Sequence, residues 1–576
     1  MLDVRGTRQT TAISSRCGSL QQGSDLQLYE SRTIVYFSSF LTLSALGVLL
    51  LKLDLSSSSV MLGDMVYRSS PSFWIYLALV ALAVLLSCKY VGRDAVNLTP
   101  IVLSFIFVFI FQLAQYPSLA HHDYFYHGIL VEVLQSEGRI VSSAGYSAYP
   151  GSFVLLSAIC VLTGIKPVES EILLVSLLTL LVPTMLLLIG RAILKRYGWL
   201  VPWVFLVVGQ LFFFFREFSP QFPGLALYLL CVYATVKCYK GRSRTWSVIF
   251  ILTVTGLVIT HPFSSLFIIS GLLALSVFEN RKLRRVGAVQ HLFMLSLVLF
   301  FSWSVYVAYE YVYYGSRSLL EALSLTFLLN IAERLQPQQI APGIVGTVLR
   351  FYRWGVLGLF YSTALVAAVK LKDREDVRFF VFIALGVLAG VLALSLASPV
   401  IAVERGWLFS YFPVSALASV FLITWLLPKI STRPWKVLAG LLRNGDVIRA
   451  VLLMMVFTSF VAANQTVSMT SLFVHQGEIT AARFAFQHLE TTPSTSQGEF
   501  GIYAYYKGQP VTDNEYWSYP AQSWQNATNE AERLLSGEFS LQNSVYQQTE
   551  FGFGFVGTNR SLVFNDGLNR LYMADY

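Results

Sequence analysis

Charge is scarce in this sequence: 13% of its 576 residues are Asp, Glu, Lys or Arg, against 55% hydrophobic. Soluble domains carry about a quarter charged residues, so a water-soluble globular chain is excluded at the outset. Paired cysteines are also lacking. The five present, Cys17, Cys88, Cys160, Cys231 and Cys238, are scattered without a CxxC spacing, which points to neither a zinc ribbon nor a disulfide framework. A concentrated basic patch is missing too, although the formal net charge is +9. Lys and Arg recur as short clusters between apolar blocks, the positive-inside pattern, so nucleic acid is not an expected partner. The polar stretch from Met1 to Ser31 has no apolar core and does not read as a signal peptide.

What the sequence does have is long apolar blocks. A hydrocarbon core of roughly 30 Å takes about 20 helical residues to cross. Blocks of that order fall near 33–52, 73–90, 99–116, 170–190, 198–215, 223–238, 246–262, 263–278, 290–313, 354–370, 377–397, 407–427 and 448–464. In lipid, uninterrupted Leu, Val and Phe runs mean helices, because an open strand leaves its backbone unsatisfied. The expected fold class is an all-α polytopic membrane protein of about 13 transmembrane helices. These blocks carry few charges, Glu310 being the nearest to an exception.

A shorter block, 150–165, decides the topology. If it crosses, the clusters Arg191 to Arg196 and Lys240 to Arg244 land outside. If it lies flat or re-enters, both join Arg281 to Arg285, Lys370 to Arg374 and Lys429 to Arg443 inside, which gathers most of the 41 basic residues on one side. The second assignment makes 1–32 a cytoplasmic segment and 33–464 the membrane domain, with 117–169 as its first large outer loop. The unusual polar residues then gather on the outer face: His121 to Asp123, Arg216 to Gln221, Thr260-His261-Pro262, the 314–353 loop and Glu404-Arg405-Gly406. Residues 465–576 are polar and Gln/Asn/Ser-rich, with no span. A helix over Gly477 to Leu489 and strand-like runs at Phe500 to Tyr506, Ser544 to Phe555 and Arg560 to Tyr576 suggest a small α/β extracytoplasmic domain. Sequons at Asn464, Asn526 and Asn559 agree with an exported tail.

The chemistry-bearing segment is His121-His122-Asp123-Tyr124-Phe125-Tyr126-His127-Gly128, followed by Gly138-Arg139-Ile140 and Tyr149-Pro150. Apolar residues at Phe125, Ile129 and Val133 have helical spacing, as expected of a helix along the membrane surface. Asp123 then sits at its N-cap, and an acidic residue there is most often just a cap. Held at the surface, the same carboxylate could serve as a general base, or join His121 and His122 in binding a divalent cation.

This pattern resembles the GT-C superfamily of membrane glycosyltransferases, which use polyprenyl-phosphate-linked sugars. The resemblance takes in the loop from Asp123 to Pro150, Phe218-Ser219-Pro220-Gln221, Thr260-His261-Pro262 and a soluble outer tail. It implies a sugar passed with inversion from a lipid-phosphate donor to a protein, lipid or glycan acceptor, in a prokaryotic cell membrane rather than the ER. Asp123 is the implied base. Arg350, Arg353 and Arg405 are candidate phosphate partners, since a planar guanidinium holds two oxygens at once. His121, His122, His127, Gln221, His261 and Glu404 complete the expected substrate contacts, and His122 with Asp123 an expected site for Mg or Mn. The family's acidic pair is replaced here by histidines before Asp123 and Tyr124 after it, which leaves metal dependence open. The nearest approach to a WWDYG signature is Glu515-Tyr516-Trp517-Ser518, so an oligosaccharyltransferase is not expected.

Plainer roles stand beside these. His261 before Pro262 suits a helix end. Ser219-Pro220-Gln221 suits a turn, Arg350 and Arg353 suit snorkelling anchors, and Glu404-Arg405 suits an internal ion pair. At the level of the whole chain, the alternatives are a transporter or flippase for a lipid-linked substrate, which would place such groups at mid-membrane depth, and a non-catalytic subunit of a surface-assembly complex.

Overall fold

The computed structural model describes residues 71–90, 93–115, 122–138, 145–208, 218–241, 244–279, 286–313, 344–397, 399–426, 445–465, 540–543, 560–565 and 569–574. Within them lie α1 (Pro71–Tyr90), α2 (Arg93–Gln115), α3 (His122–Glu137), α4 (Gly151–Thr163), α5 (Pro167–Leu194), α6 (Leu200–Val208) and α7 (Gln221–Gly241). Then follow α8 (Arg244–Thr260), α9 (Pro262–Glu279), α10 (Val286–Tyr306), α11 (Ile344–Lys370), α12 (Glu375–Ala397), α13 (Pro399–Phe421) and α14 (Gly445–Gln465). Every apolar block read from the sequence beyond residue 70 overlaps one of these helices; the second half of the block at 198–215 and the whole block at 33–52 lie outside the described residues.

Five of the helices contain windows long and apolar enough to cross a membrane: Pro167–Leu194, Gln221–Lys240, Val289–Tyr306, Phe351–Lys370 and Leu408–Leu426. Outward sides among them are apolar, as lipid requires, with Leu177, Val298 and Leu365 among the exposed large residues. Helix α4 has 13 residues and so spans about 20 Å, short of the hydrocarbon thickness.

Local sequence sets the boundaries. Pro167 opens α5 at a position where its missing N–H costs nothing, and Glu169 reaches back to accept a hydrogen bond from the Lys166 N–H at 3.0 Å. Gly164 closes α4 in the left-handed region at φ 73° and donates its N–H to Cys160 O at 2.8 Å. Between helices in lipid the hydrophobic effect is weak, so small residues bring backbones together. Gly386 of α12 lies against Gly271 and Ser270 of α9, and Gly190 of α5 against Gly198.

Consecutive helices double back on one another, so the bundle has two ends. One end gathers the start of α7, the corner between α8 and α9, and the start of α4, where Gly151 meets Ile259 and Thr260. The opposite end gathers the close of α5, the close of α7 and the start of α12. Apart from the helices, three strands, β1 (Ser540–Asn543), β2 (Arg560–Asn565) and β3 (Asn569–Ala574), form an antiparallel sheet in the order β1-β3-β2. β2 and β3 realise the strand-like run from Arg560; β1 falls between the other expected runs, and these, with the helix at 477–489, lie outside the described residues.

Candidate active site at one end of the bundle

Helix α3 begins at His122, so Asp123 lies in its first turn rather than at the cap, still where the helix dipole favours an acidic group. His127 follows four residues later, which puts the two positions on one face of the helix. At His127 and Val131 this side of the helix turns inward: His127 is 3% exposed and Val131 is buried one turn on. Val133, of the expected apolar face, is buried as well, so α3 is packed on more than one side. The His127 ring stands edge-on to Phe218 at 5.3 Å between centroids and tilts over Phe153 at 5.7 Å. Phe153 belongs to α4 and Phe218 to the approach to α7, so this imidazole ties three elements together.

Phe218 leads directly into Ser219-Pro220-Gln221. Ser219 Oγ accepts a hydrogen bond from the Gln221 N–H at 3.3 Å, and Ser219 O accepts from Phe222 N–H at 2.9 Å. The segment expected as a turn is therefore the cap of α7, with Pro220 suited to the first position. Gln221 is buried. One turn on, Gly224 allows α7 to approach the α8–α9 corner so closely that a Cβ there would lie 2.6 Å from Ser264 Oγ and 3.0 Å from His261 Cβ.

His261 is that corner. It is fully buried, and its Nδ1 accepts a hydrogen bond from the Ser264 N–H at 3.2 Å, as an N-cap side chain does. The Ser264 hydroxyl lies 2.7 Å from the same nitrogen. Because a backbone N–H can only donate, Nδ1 is the acceptor and Ser264 Oγ–H donates to it as well; the ring proton is assigned to Nε2. The plain role holds here, since His261 ends α8 and starts α9, and the tautomer so assigned leaves an N–H edge inside a buried layer. His127, Gln221 and His261 thus come together at one end of the bundle, linked through Phe218 and Gly224.

Arg350, Arg353, Glu404 and Arg405 belong to helices that start toward this end. Arg350 and Arg353 fall near the start of α11, a helix rather than the loop expected over 314–353. Arg353 is half-buried, and its neighbour Tyr352 donates to Met455 O at 2.9 Å. Glu404 and Arg405 lie in the first two turns of α13, which begins at Pro399, so the short outer loop expected there is helical. The helix starts at Pro399, ahead of the apolar block, and within it Gly406 is buried against Val391. The side chains of His122, Asp123, Arg350, Glu404 and Arg405, and residue His121 entirely, lie outside the described residues. Among the described residues, no three His, Cys, Asp or Glu side chains come together to hold a metal ion.

Sequence reading missed two features here. Glu171 is fully buried in the second turn of α5, within a candidate span, so the spans are less free of charge than expected. It was legible as a carboxylate inside the 170–190 block, but α5 starts at Pro167, ahead of that block, and so draws Glu171 into its packed core. The second is a brace beside the site: Trp303 Nε1 of α10 donates to Ala148 O at 3.0 Å, and Tyr149 meets Tyr311 edge-on at 5.2 Å. Burial raises the Tyr149 phenol above its ordinary value, with Ser304 partly offsetting the shift.

No protein-family model and no curated protein sequence matches the chain. Solved structures do. The apo structure of ArnT from Cupriavidus metallidurans is 12% identical, with a TM-score of 0.50 over 84% of this chain and 97% of that one. ArnT from the same organism bound to undecaprenyl phosphate is 11% identical at 0.48, covering 84% and 98%. An Archaeoglobus fulgidus oligosaccharyltransferase tethered to an acceptor peptide is 13% identical at 0.46, covering 80% and 70%. At such identities the likeness is one of fold. The chain is an integral membrane protein of helical, GT-C-like fold, and the first of these structures matches 84% of it.

Proposed function

We propose that the protein is a glycosyltransferase that moves a sugar from a polyprenyl-phosphate-linked donor to an acceptor on the extracytoplasmic face. The observation that carries this reading is the fold likeness to apo ArnT over 84% of this chain, in which Asp123 opens a helix at the end of the bundle holding His127, Gln221 and His261. The Asp123 carboxylate takes the proton from the acceptor hydroxyl. The freed oxygen attacks the sugar C1 from the face opposite the lipid phosphate; the C1–O bond breaks, the electron pair leaves with the polyprenyl phosphate, and the anomeric configuration inverts. Arg350, Arg353 and Arg405 are the proposed partners of the leaving phosphate, where charge accumulates, and Glu404 is a further substrate contact. The imidazoles of His121, His122 and His127, with Gln221 and the Nε2–H of His261, hydrogen-bond sugar and acceptor hydroxyls. A Mg or Mn ion at His122 and Asp123 would need further oxygen ligands to fill six positions, and no step of this mechanism runs through one.

In this reading the chain has about 13 spans, a cytoplasmic N-terminus and a small α/β domain outside. Glu171 does not favour the transporter alternative: it lies in the second turn of α5, about 6 Å from the helix start, rather than at the bilayer midplane where transporters bind substrate.

The test is transfer from radiolabelled polyprenyl-phosphate sugars in membranes carrying wild type, Asp123→Ala or Asp123→Asn at matched expression. Product with wild type and none with either variant is expected. Full activity in both variants would remove the base from the mechanism and return the chain to the transporter or subunit readings.

A further inference from the structure

At the end of the bundle opposite the candidate active site lies a cavity of about 240 Å³ that belongs to none of the chemistry above. The close of α7 forms one wall and the turn from α11 into α12 another. Along α7, Lys240 is 19 residues beyond Gln221, which separates the two sites by roughly 28 Å. The level of the cavity in the membrane follows from the spans: Pro167–Leu194, Gln221–Lys240 and Phe351–Lys370 all end beside it. Three helices leaving the hydrocarbon together mark the layer where lipid headgroups sit.

The lining holds charge of both signs on an apolar floor. Lys240 and Arg374 supply two cations, Glu375 and Asp376 two carboxylates, while Ile193, Val236 and Phe380 supply apolar wall. Arg374 grips Asp376 through Nε at 3.0 Å and Nη2 at 2.7 Å, so this pair is held in place as a unit. Lys240 spends one proton on Ala192 O, near the C-terminus of α5, at 2.6 Å, which fixes its ammonium at the rim. Such a lining has no net charge to attract a simple anion. It matches a ligand that carries a phosphate and an ammonium a few ångströms apart and an apolar remainder.

We propose that this cavity binds the phosphoethanolamine headgroup of a membrane phospholipid, with the phosphate against Lys240 and the Arg374 guanidinium and the ammonium against Glu375. A quaternary ammonium cannot donate hydrogen bonds to a carboxylate, and an uncharged glycerol headgroup carries no cation, so ethanolamine is preferred over both. The acyl chains leave toward the surrounding bilayer. The site is independent of the proposed transferase reaction.

The experiment titrates the full chain, purified in detergent, with dihexanoyl-phosphatidylethanolamine and with its phosphatidylcholine and phosphatidylglycerol counterparts, reading bound lipid by native mass spectrometry and the thermal midpoint. Saturable binding that favours the ethanolamine lipid is expected. Lys240→Met weakens it by roughly tenfold or more, as loss of one charge-assisted hydrogen bond does. Lys240→Arg retains it, which separates loss of the site from misfolding, and Glu375→Gln abolishes the preference for ethanolamine. Non-saturable uptake, equal affinity for the three lipids, or wild-type binding by Lys240→Met overturns the proposal. Equal binding of glycerophosphoethanolamine, which has the headgroup and no acyl chains, overturns the lipid as occupant.

Discussion

Replacing Gly224 with alanine isolates the contact that seats α7 on the His261 corner. The new Cβ would stand 2.6 Å from Ser264 Oγ, where ordinary contact begins at 3.4 Å, so the hydroxyl is about 0.8 Å too close. Its cheapest escape is to rotate, and rotation breaks its 2.7 Å hydrogen bond to His261 Nδ1. A buried hydrogen bond contributes about 1 kcal/mol and overpacking costs about 1–3, so a loss of about 2–4 kcal/mol is expected. Ser264→Ala alone removes the hydroxyl and costs about 1 kcal/mol. In the double variant the hydroxyl is gone before the methyl arrives, so its cost falls short of the sum by about 1 kcal/mol or more. SDS titrations of the detergent-solubilised protein, followed by circular dichroism, give the four midpoints of the cycle. Strict additivity, or a Gly224→Ala midpoint equal to wild type, would refute the packing argument.

Gly386→Ala is expected to cost more than Gly224→Ala, and no side-chain truncation should rescue it. Its Cβ meets the Gly271 backbone and Ser270 O at 2.5 Å, and two helices must part to admit it; the same SDS titration checks this. Trp303→Phe removes the donor to Ala148 O and should lower stability by about 1 kcal/mol, together with a shift in tryptophan emission. Burial raises the Tyr149 pKa above its ordinary 10.0. The folded chain therefore keeps that proton where the unfolded chain loses it, so stability is intact below pH 10 and falls as pH rises beyond it. Tyr149→Phe should flatten that alkaline decline in thermal midpoints measured between pH 9 and pH 11, and an unchanged slope would exclude Tyr149 as its source.

The helices were legible because their signal is local. A block such as 223–238 is apolar but for Thr235 and Lys237, and its ends are marked by Ser219-Pro220 and by the basic cluster from Lys240. The break between α8 and α9 was legible in the same way, since a proline after His261 cannot continue the helix before it. The loop carrying Asp123 stood out because charged and imidazole groups beside a span are costly unless used. Spacing misplaced what depends on helix extension. Glu404-Arg405 and Arg350 to Arg353 read as loop residues, because polar residues at a span end look alike whether or not the helix continues through them.

By itself, then, the sequence determined that the chain lives in a membrane, which blocks of it are helices, and which residues are chemically out of place among them. Hydrophobic periodicity and chain-breaking residues act over a few positions and need no partner to be read. Only tertiary structure decided that His127 meets Phe218 across 91 residues, that Gly224 reaches the His261 corner, and that Lys240 and Arg374 close one cavity far from both. Those contacts depend on which helix packs beside which. In lipid that choice is made by small residues and shape, whose effect no single stretch of sequence contains.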